Sequence, residues 1–141
     1  MTPEEAYAFI VFALAIYREA GGELMTTKIA MAWSVRNRVQ NPGWWGHDWL
    51  GCLLLPWQYS CFNHNDPNAT KLPMSKDPSW QDSLNVARNV MHEPPLVSDP
   101  TDGATSYYDT SLDSDPPKWA TDGSNVHTIT LGGLNFYKLA A

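Results

Sequence analysis

Ala6-Tyr7-Ala8-Phe9-Ile10-Val11-Phe12-Ala13-Leu14-Ala15-Ile16-Tyr17-Arg18-Glu19-Ala20-Gly21-Gly22-Glu23 decides the fold. Apolar residues occupy almost every side of the run through Tyr7, Phe9, Ile10, Phe12, Leu14 and Ile16, which marks a buried helix. Its start is signalled by Thr2 as N-cap, Pro3 in the first turn and Glu5 as return partner of a capping box. Gly21-Gly22 stops it. A carboxyl at this end sits in the negative end of the helix dipole. That field, together with burial, disfavours ionisation and raises a Glu pKa toward the range a general acid needs. Glu19 is the leading proton donor. Glu23 is the alternative, or else a cap for the helix that follows.

The chain of 141 residues suits one domain, residues 1–141, with a single core. A formal charge of −6 argues against a duplex nucleic-acid binder and against electrostatic attraction to an anionic membrane. The apolar part of the first helix, about 11 residues, is too short to span a bilayer. Its flank, Thr2-Pro3-Glu4-Glu5, is acidic where a secretory signal is basic. Synthesis in the cytoplasm without an export signal is the expectation. Cys52 and Cys61 then read as free thiols. With no Cys-x-x-Cys and no His-Glu-x-x-His, no metal and no cofactor are expected.

Outward from the first helix, Ile29, Trp33, Arg36 and Val39 fall at helical spacing and predict a second helix from Thr26 to Gln40. Asn37 can point inward beside Trp33, or Arg36-Asn37-Arg38 can form a solvated face. Residues 42–78 read as an aromatic-rich excursion holding one short helix, Asp48 to Leu55. Such a loop is too aromatic for disorder and long enough to be functional. Asp77 and Pro78 open a third long helix with Trp80, Leu84, Ala87 and Met91 on its apolar stripe. Three short strands follow, at Ala104–Tyr108, Val126–Thr130 and Asn135–Tyr137. Helices first and a small antiparallel sheet after is an α+β layout.

Trp44, Trp45, Trp57, Tyr59, Tyr107 and Tyr108 supply flat faces, and Gln58, Ser60 and Asn63 supply amides and hydroxyls. Sugar rings need both, although some of these aromatics must fill the core. Ser60 lacks the glycines of a nucleophile elbow, and His127 reads as a packed histidine rather than a base. Asp99-Pro100-Thr101-Asp102-Gly103 is explained by a turn.

Five segments, in order, resemble the SleB/CwlJ-like cell wall hydrolases, the family of spore cortex-lytic enzymes and related phage lysins. They are Ala15–Glu23, Ile29–Val39, Trp57-Gln58-Tyr59-Ser60-Cys61, Asp102–Tyr108 and Gly132–Tyr137. Three positions depart from the family pattern: Arg18 where a Gly is usual, Gly21 where an Arg is usual, and Leu134 where a His is common.

The resemblance implies a lysozyme-like or lytic-transglycosylase-like α+β fold, a helical lobe followed by a small antiparallel sheet, with Glu19 as the single catalytic carboxyl. It implies that Gln58, Ser60, Tyr107 and Tyr108 line a glycan cleft; Glu23, Asn37, Trp57 and Tyr59 complete the candidate substrate-binding set. The implied reaction is cleavage of the bond between N-acetylmuramic acid and N-acetylglucosamine in peptidoglycan, by an endolysin-like lytic transglycosylase acting on the bacterial wall from the periplasm. A monomer with no membrane anchor is expected. A hydrolytic muramidase is the alternative and needs a second carboxylate about 5 to 9 Å away, for which Asp48, Asp102 and Asp109 are candidates. A non-catalytic peptidoglycan-binding module is the other.

Overall fold

Thr2 and Glu5 hold the first helix in the reciprocal pattern their spacing predicts. The Thr2 hydroxyl accepts from the Glu5 amide at 3.1 Å, and the Glu5 carboxylate accepts from the Thr2 amide at 2.8 Å. The structure is a computed structural model that describes residues 1–55 and 58–140. Helix α1 spans Pro3–Ala20 and buries Val11, Phe12, Ala13, Ala15, Ile16 and Ala20. Its alanines let neighbouring helices approach closely. Tyr7 and Ile10 face solvent, so the helix is buried on most sides rather than all.

The end of α1 is not a left-handed glycine cap, because Gly21 keeps right-handed helical geometry with φ −60°. What demands glycine there is space. A Cβ would collide with the Tyr17 carbonyl oxygen and lie 3.1 Å from Ser79 Oγ. That hydroxyl donates to the Gly21 carbonyl at 2.9 Å, joining the end of α1 to α4 (Pro78–Met91).

Helix α2, Met25–Gln40, lies between α1, α4 and the sheet and is buried nearly all round. Its polar residues are therefore not a solvated face: Arg36, Asn37 and Arg38 are all buried, each held by partners. Arg36 donates to the Val90 carbonyl at 3.0 Å and pairs with Glu93 at 3.0 Å. Nor does Glu23 cap α2; the N-cap is Leu24, with no side-chain bond. Helix α3, Trp49–Leu54, is capped by Asp48, and α4 by Asp77.

Strands β1 (Ser106–Asp109), β2 (Val126–Leu131) and β3 (Leu134–Lys138) form an antiparallel sheet in the order β1-β3-β2. Tyr107 pairs with Phe136 and Tyr108 with Asn135, and a bulge between His127 and Ile129 bends the outer strand. Leu134 and Phe136 turn into the helical core. Between β1 and β2 the chain forms a short helix, α5 (Lys118–Thr121). Among the described residues no helix is long and apolar enough to cross a membrane.

Candidate active site

A cleft of about 350 Å³ opens where the end of α1, residues 58–60, strand β1 and the segment before α5 converge. Glu19 comes to it because the helix that carries it is fixed by its apolar faces, leaving the last turn to meet the sheet lobe. Gln58, Tyr59, Ser60, Tyr107 and Tyr108 line the same cleft. Six of the sequence candidates are thus brought together. Trp57 lies outside the described residues.

Glu19 is pushed up to about 7, first by burial and then by the negative charge of Asp66. The Cys61 amide and the Tyr107 hydroxyl act the other way, favouring the ionised form. The Tyr107 hydroxyl is wholly enclosed and has no partner in hydrogen-bond geometry; its own ionisation is pushed well up by burial and by Glu19. Tyr59 is buried and pushed up to about 12, again by burial, against the opposing charge of Arg38.

The Arg18 guanidinium is held by backbone carbonyls rather than by the Glu19 carboxyl. Its Nε donates to the Lys71 carbonyl at 3.1 Å and its Nη1 to the Cys61 carbonyl at 3.3 Å, with the guanidinium over the Phe62 ring. It ties the aromatic loop to α1 instead.

Two candidates lie elsewhere. Asn37 is drawn under the 99–104 turn, where its amide donates to Asp99 Oδ2 and to the Ala104 carbonyl, both at 2.9 Å. Glu23 accepts from the Gly133 amide at 3.1 Å and so seats the β2–β3 turn. Both are polar groups recruited by buried backbone that would otherwise go unpaired. Of the candidate second carboxylates, Asp109 lines the cleft. Asp48 caps α3 and Asp102 sits exposed in the 99–104 turn at φ 56°. Cys52 and Cys61 are buried free thiols.

Arg38, Trp119 and Asp66 are among the residues of the site that escaped sequence reasoning. Arg38 lines the cleft, signalled only as one member of the polar run Arg36-Asn37-Arg38. Trp119 lines it from α5, inside a stretch that carried no periodicity at all. Asp66 shapes the Glu19 proton affinity from a short helical turn, Pro67–Thr70, which it caps. The Leu134 side chain occupies the cleft wall and offers no polar atom there.

Two solved structures share this fold. The catalytic domain of the Bacillus cereus SleB protein matches with a TM-score of 0.67 at 19% identity, over 93% of this chain and 89% of that one. The catalytic domain of the germination-specific lytic transglycosylase SleB from Bacillus anthracis matches with 0.68 at 21% identity, over 93% of each. No curated protein sequence matches the chain. The model of the cell wall hydrolase family matches residues 22–137. Glu19 lies just ahead of that segment, so its place in the site rests on geometry. With most of its length inside the match, including the cleft-lining residues from Arg38 to Leu134, the chain belongs to the cell wall hydrolase family.

Proposed function

We propose that the protein cleaves the β-1,4 bond between N-acetylmuramic acid and N-acetylglucosamine in peptidoglycan, with Glu19 as its single general acid and base. The observation that carries this reading is the half-buried Glu19 carboxyl, which lines an aromatic cleft and has its pKa raised to about 7. Such a group holds a proton at neutral pH yet releases it readily, which suits both halves of a two-step reaction.

In the first step Glu19 donates its proton to the glycosidic oxygen as the C1–O bond breaks. The sugar's own N-acetyl carbonyl holds the positive charge developing at C1. In the second, the Glu19 carboxylate takes the proton of the 6-hydroxyl as that oxygen bonds to C1, closing a 1,6-anhydro ring and restoring the acid. No second carboxylate is needed, and the fold shared with a SleB lytic transglycosylase domain supports the same outcome. The family supports action on the bacterial wall, and the protein is read as an endolysin-like monomer.

Asp109, also on the cleft wall, favours a second reading, a muramidase in which this carboxylate activates water. Mass spectrometry of digested peptidoglycan separates them. Anhydro-muropeptides are expected; reducing ends would establish hydrolysis. Release of no soluble muropeptide, with sedimentation on the wall retained, would make the protein a binding module.

A further inference from the structure

Beside the cleft lies a second compartment of about 230 Å³. The two share Arg38, Gln58, Ser106, Tyr107 and Trp119 as a common wall, and the second adds the indole of Trp44, which is 57% exposed. They differ in charge. The cleft holds Glu19 and Asp109, whereas among the described residues the only charged side chain lining the second compartment is Arg38.

Arg38 is 3% exposed and its partners are all neutral. Its Nε donates to the Thr105 carbonyl and its Nη1 to Gln58 Oε1 at 3.2 Å. The rings of Trp44, Trp45 and Tyr59 surround the guanidinium at 5.6, 5.4 and 5.6 Å. Among the described residues it has no carboxylate partner, although the chain carries 15 acidic residues. Burying a cation without an anion is costly, and a guanidinium fork so placed is complementary to a carboxylate.

We propose that this compartment receives a carboxylate of the peptide branch borne by the muramic acid residue, with Arg38 as the specificity-determining cation and Trp44 and Trp119 as its walls. The inference rests on the glycan reading of the cleft. Muramic acid carries its peptide on the lactyl ether at the sugar's 3-position, so the branch leaves the glycan axis sideways. Two compartments meeting at one wall fit such a substrate, the sugar beside Glu19 and the branch beside Arg38. The indoles would pack on the aliphatic parts of the peptide, and Gln58 and Ser106 can hydrogen-bond its amides.

The test uses the Glu19→Gln protein and tryptophan fluorescence, with three ligands: the GlcNAc–MurNAc disaccharide bearing L-Ala–D-Glu with free carboxylates, the same ligand with both carboxyls amidated, and the branchless GlcNAc dimer. The free-carboxylate ligand is expected to bind about tenfold more tightly than either other, an advantage that shrinks as salt is raised. Arg38→Gln should abolish the advantage, and Trp44→Ala, at an exposed side chain, should reduce it. Equal affinity for all three ligands overturns the inference and leaves the glycan reading standing. Persistence of the advantage in a natively folded Arg38→Gln protein overturns it too. Binding of none of the three counts against both. Should Arg38→Gln fail to fold, the ligand comparison and Trp44→Ala still decide.

Discussion

The hydroxyl of Tyr107, on β1, faces the carboxyl of Glu19, at the end of α1, without hydrogen-bond geometry between them. The helical lobe supplies the carboxyl and the sheet supplies the group that modulates it. An enclosed hydroxyl without a partner costs free energy, and a substrate oxygen entering between the two groups would relieve that cost.

Tyr107→Phe tests this relationship. The hydroxyl favours the ionised form of Glu19, so its loss should raise the Glu19 pKa further and move the basic limb of kcat/KM to higher pH. Because no hydrogen bond is given up, stability should change by less than about 1 kcal/mol. A basic limb that moves to lower pH would show that the hydroxyl does not act on Glu19.

Glu19 also links activity to stability through pH. In the proposed reaction the acid form is the proton donor, so kcat/KM should fall as pH rises through about 7. The folded pKa is raised above the ordinary 4.5, so below 4.5 both states hold the proton and the favourable burial is fully present. As pH rises from 4.5 to about 7, the unfolded chain ionises while the folded one must stay neutral, and stability is lost. The loss should reach on the order of 3 kcal/mol in mildly alkaline buffer. Glu19→Gln should lower the rate by roughly a thousandfold. It should also unfold later than the parent in alkaline buffer but not in acid, as urea melts at the two pH values will show. Equal pH dependence of the two melts would contradict the raised pKa.

Much of the fold was legible because helices with strong caps and stripes report themselves. Thr2, Asp48 and Asp77 each cap the helix their position predicts, and three strands form at the β-rich segments. Less of the site was legible, since long-range pairing decides it. Asn37 and Glu23 are polar residues in motif segments, yet buried backbone at Ala104 and Gly133 claims them. The helix dipole argument found Glu19, but burial and Asp66, 47 residues further along the chain, set its proton affinity. Nothing local marks Trp119, whose place depends on where β1 leaves the sheet.

Glu23 and Glu19 should separate cleanly by mutation. Glu23 bonds the Gly133 amide, and a Cβ at Gly133 would lie 2.6 Å from its Oε1, so the carboxylate is seated on a glycine turn. Gly132 adds a φ of 54°. Glu23→Ala should cost about 1–3 kcal/mol of stability while the folded fraction keeps its kcat. Thermal melts and rates per folded molecule check this. Loss of kcat in a protein with an unchanged Tm would instead make Glu23 the acid.

Arg18→Ala should act at a distance through the loop. Its two bonds to the Lys71 and Cys61 carbonyls and its contact with Phe62 help hold residues 61–71 against α1, beside the Lys71 contact with the Tyr17 ring. Losing them should cost about 1–3 kcal/mol and speed hydrogen exchange at the amides of that loop. The Cys61 amide favours the ionised form of Glu19 from the same loop. Asp66, whose charge raises that pKa, and part of the burial of Glu19 belong to this loop too and outweigh the Cys61 amide, so as the loop drifts away the Glu19 pKa should fall and the basic limb of kcat/KM follow to lower pH. Simple removal of a neighbouring positive charge would instead raise the pKa, so the two causes need separating. Arg18→Lys does so, because it keeps the charge and loses the planar fork that reaches both carbonyls. If the loop acts through its position, Arg18→Lys should resemble Arg18→Ala in exchange and in pH profile. If it resembles the parent in both, charge alone accounts for the effect.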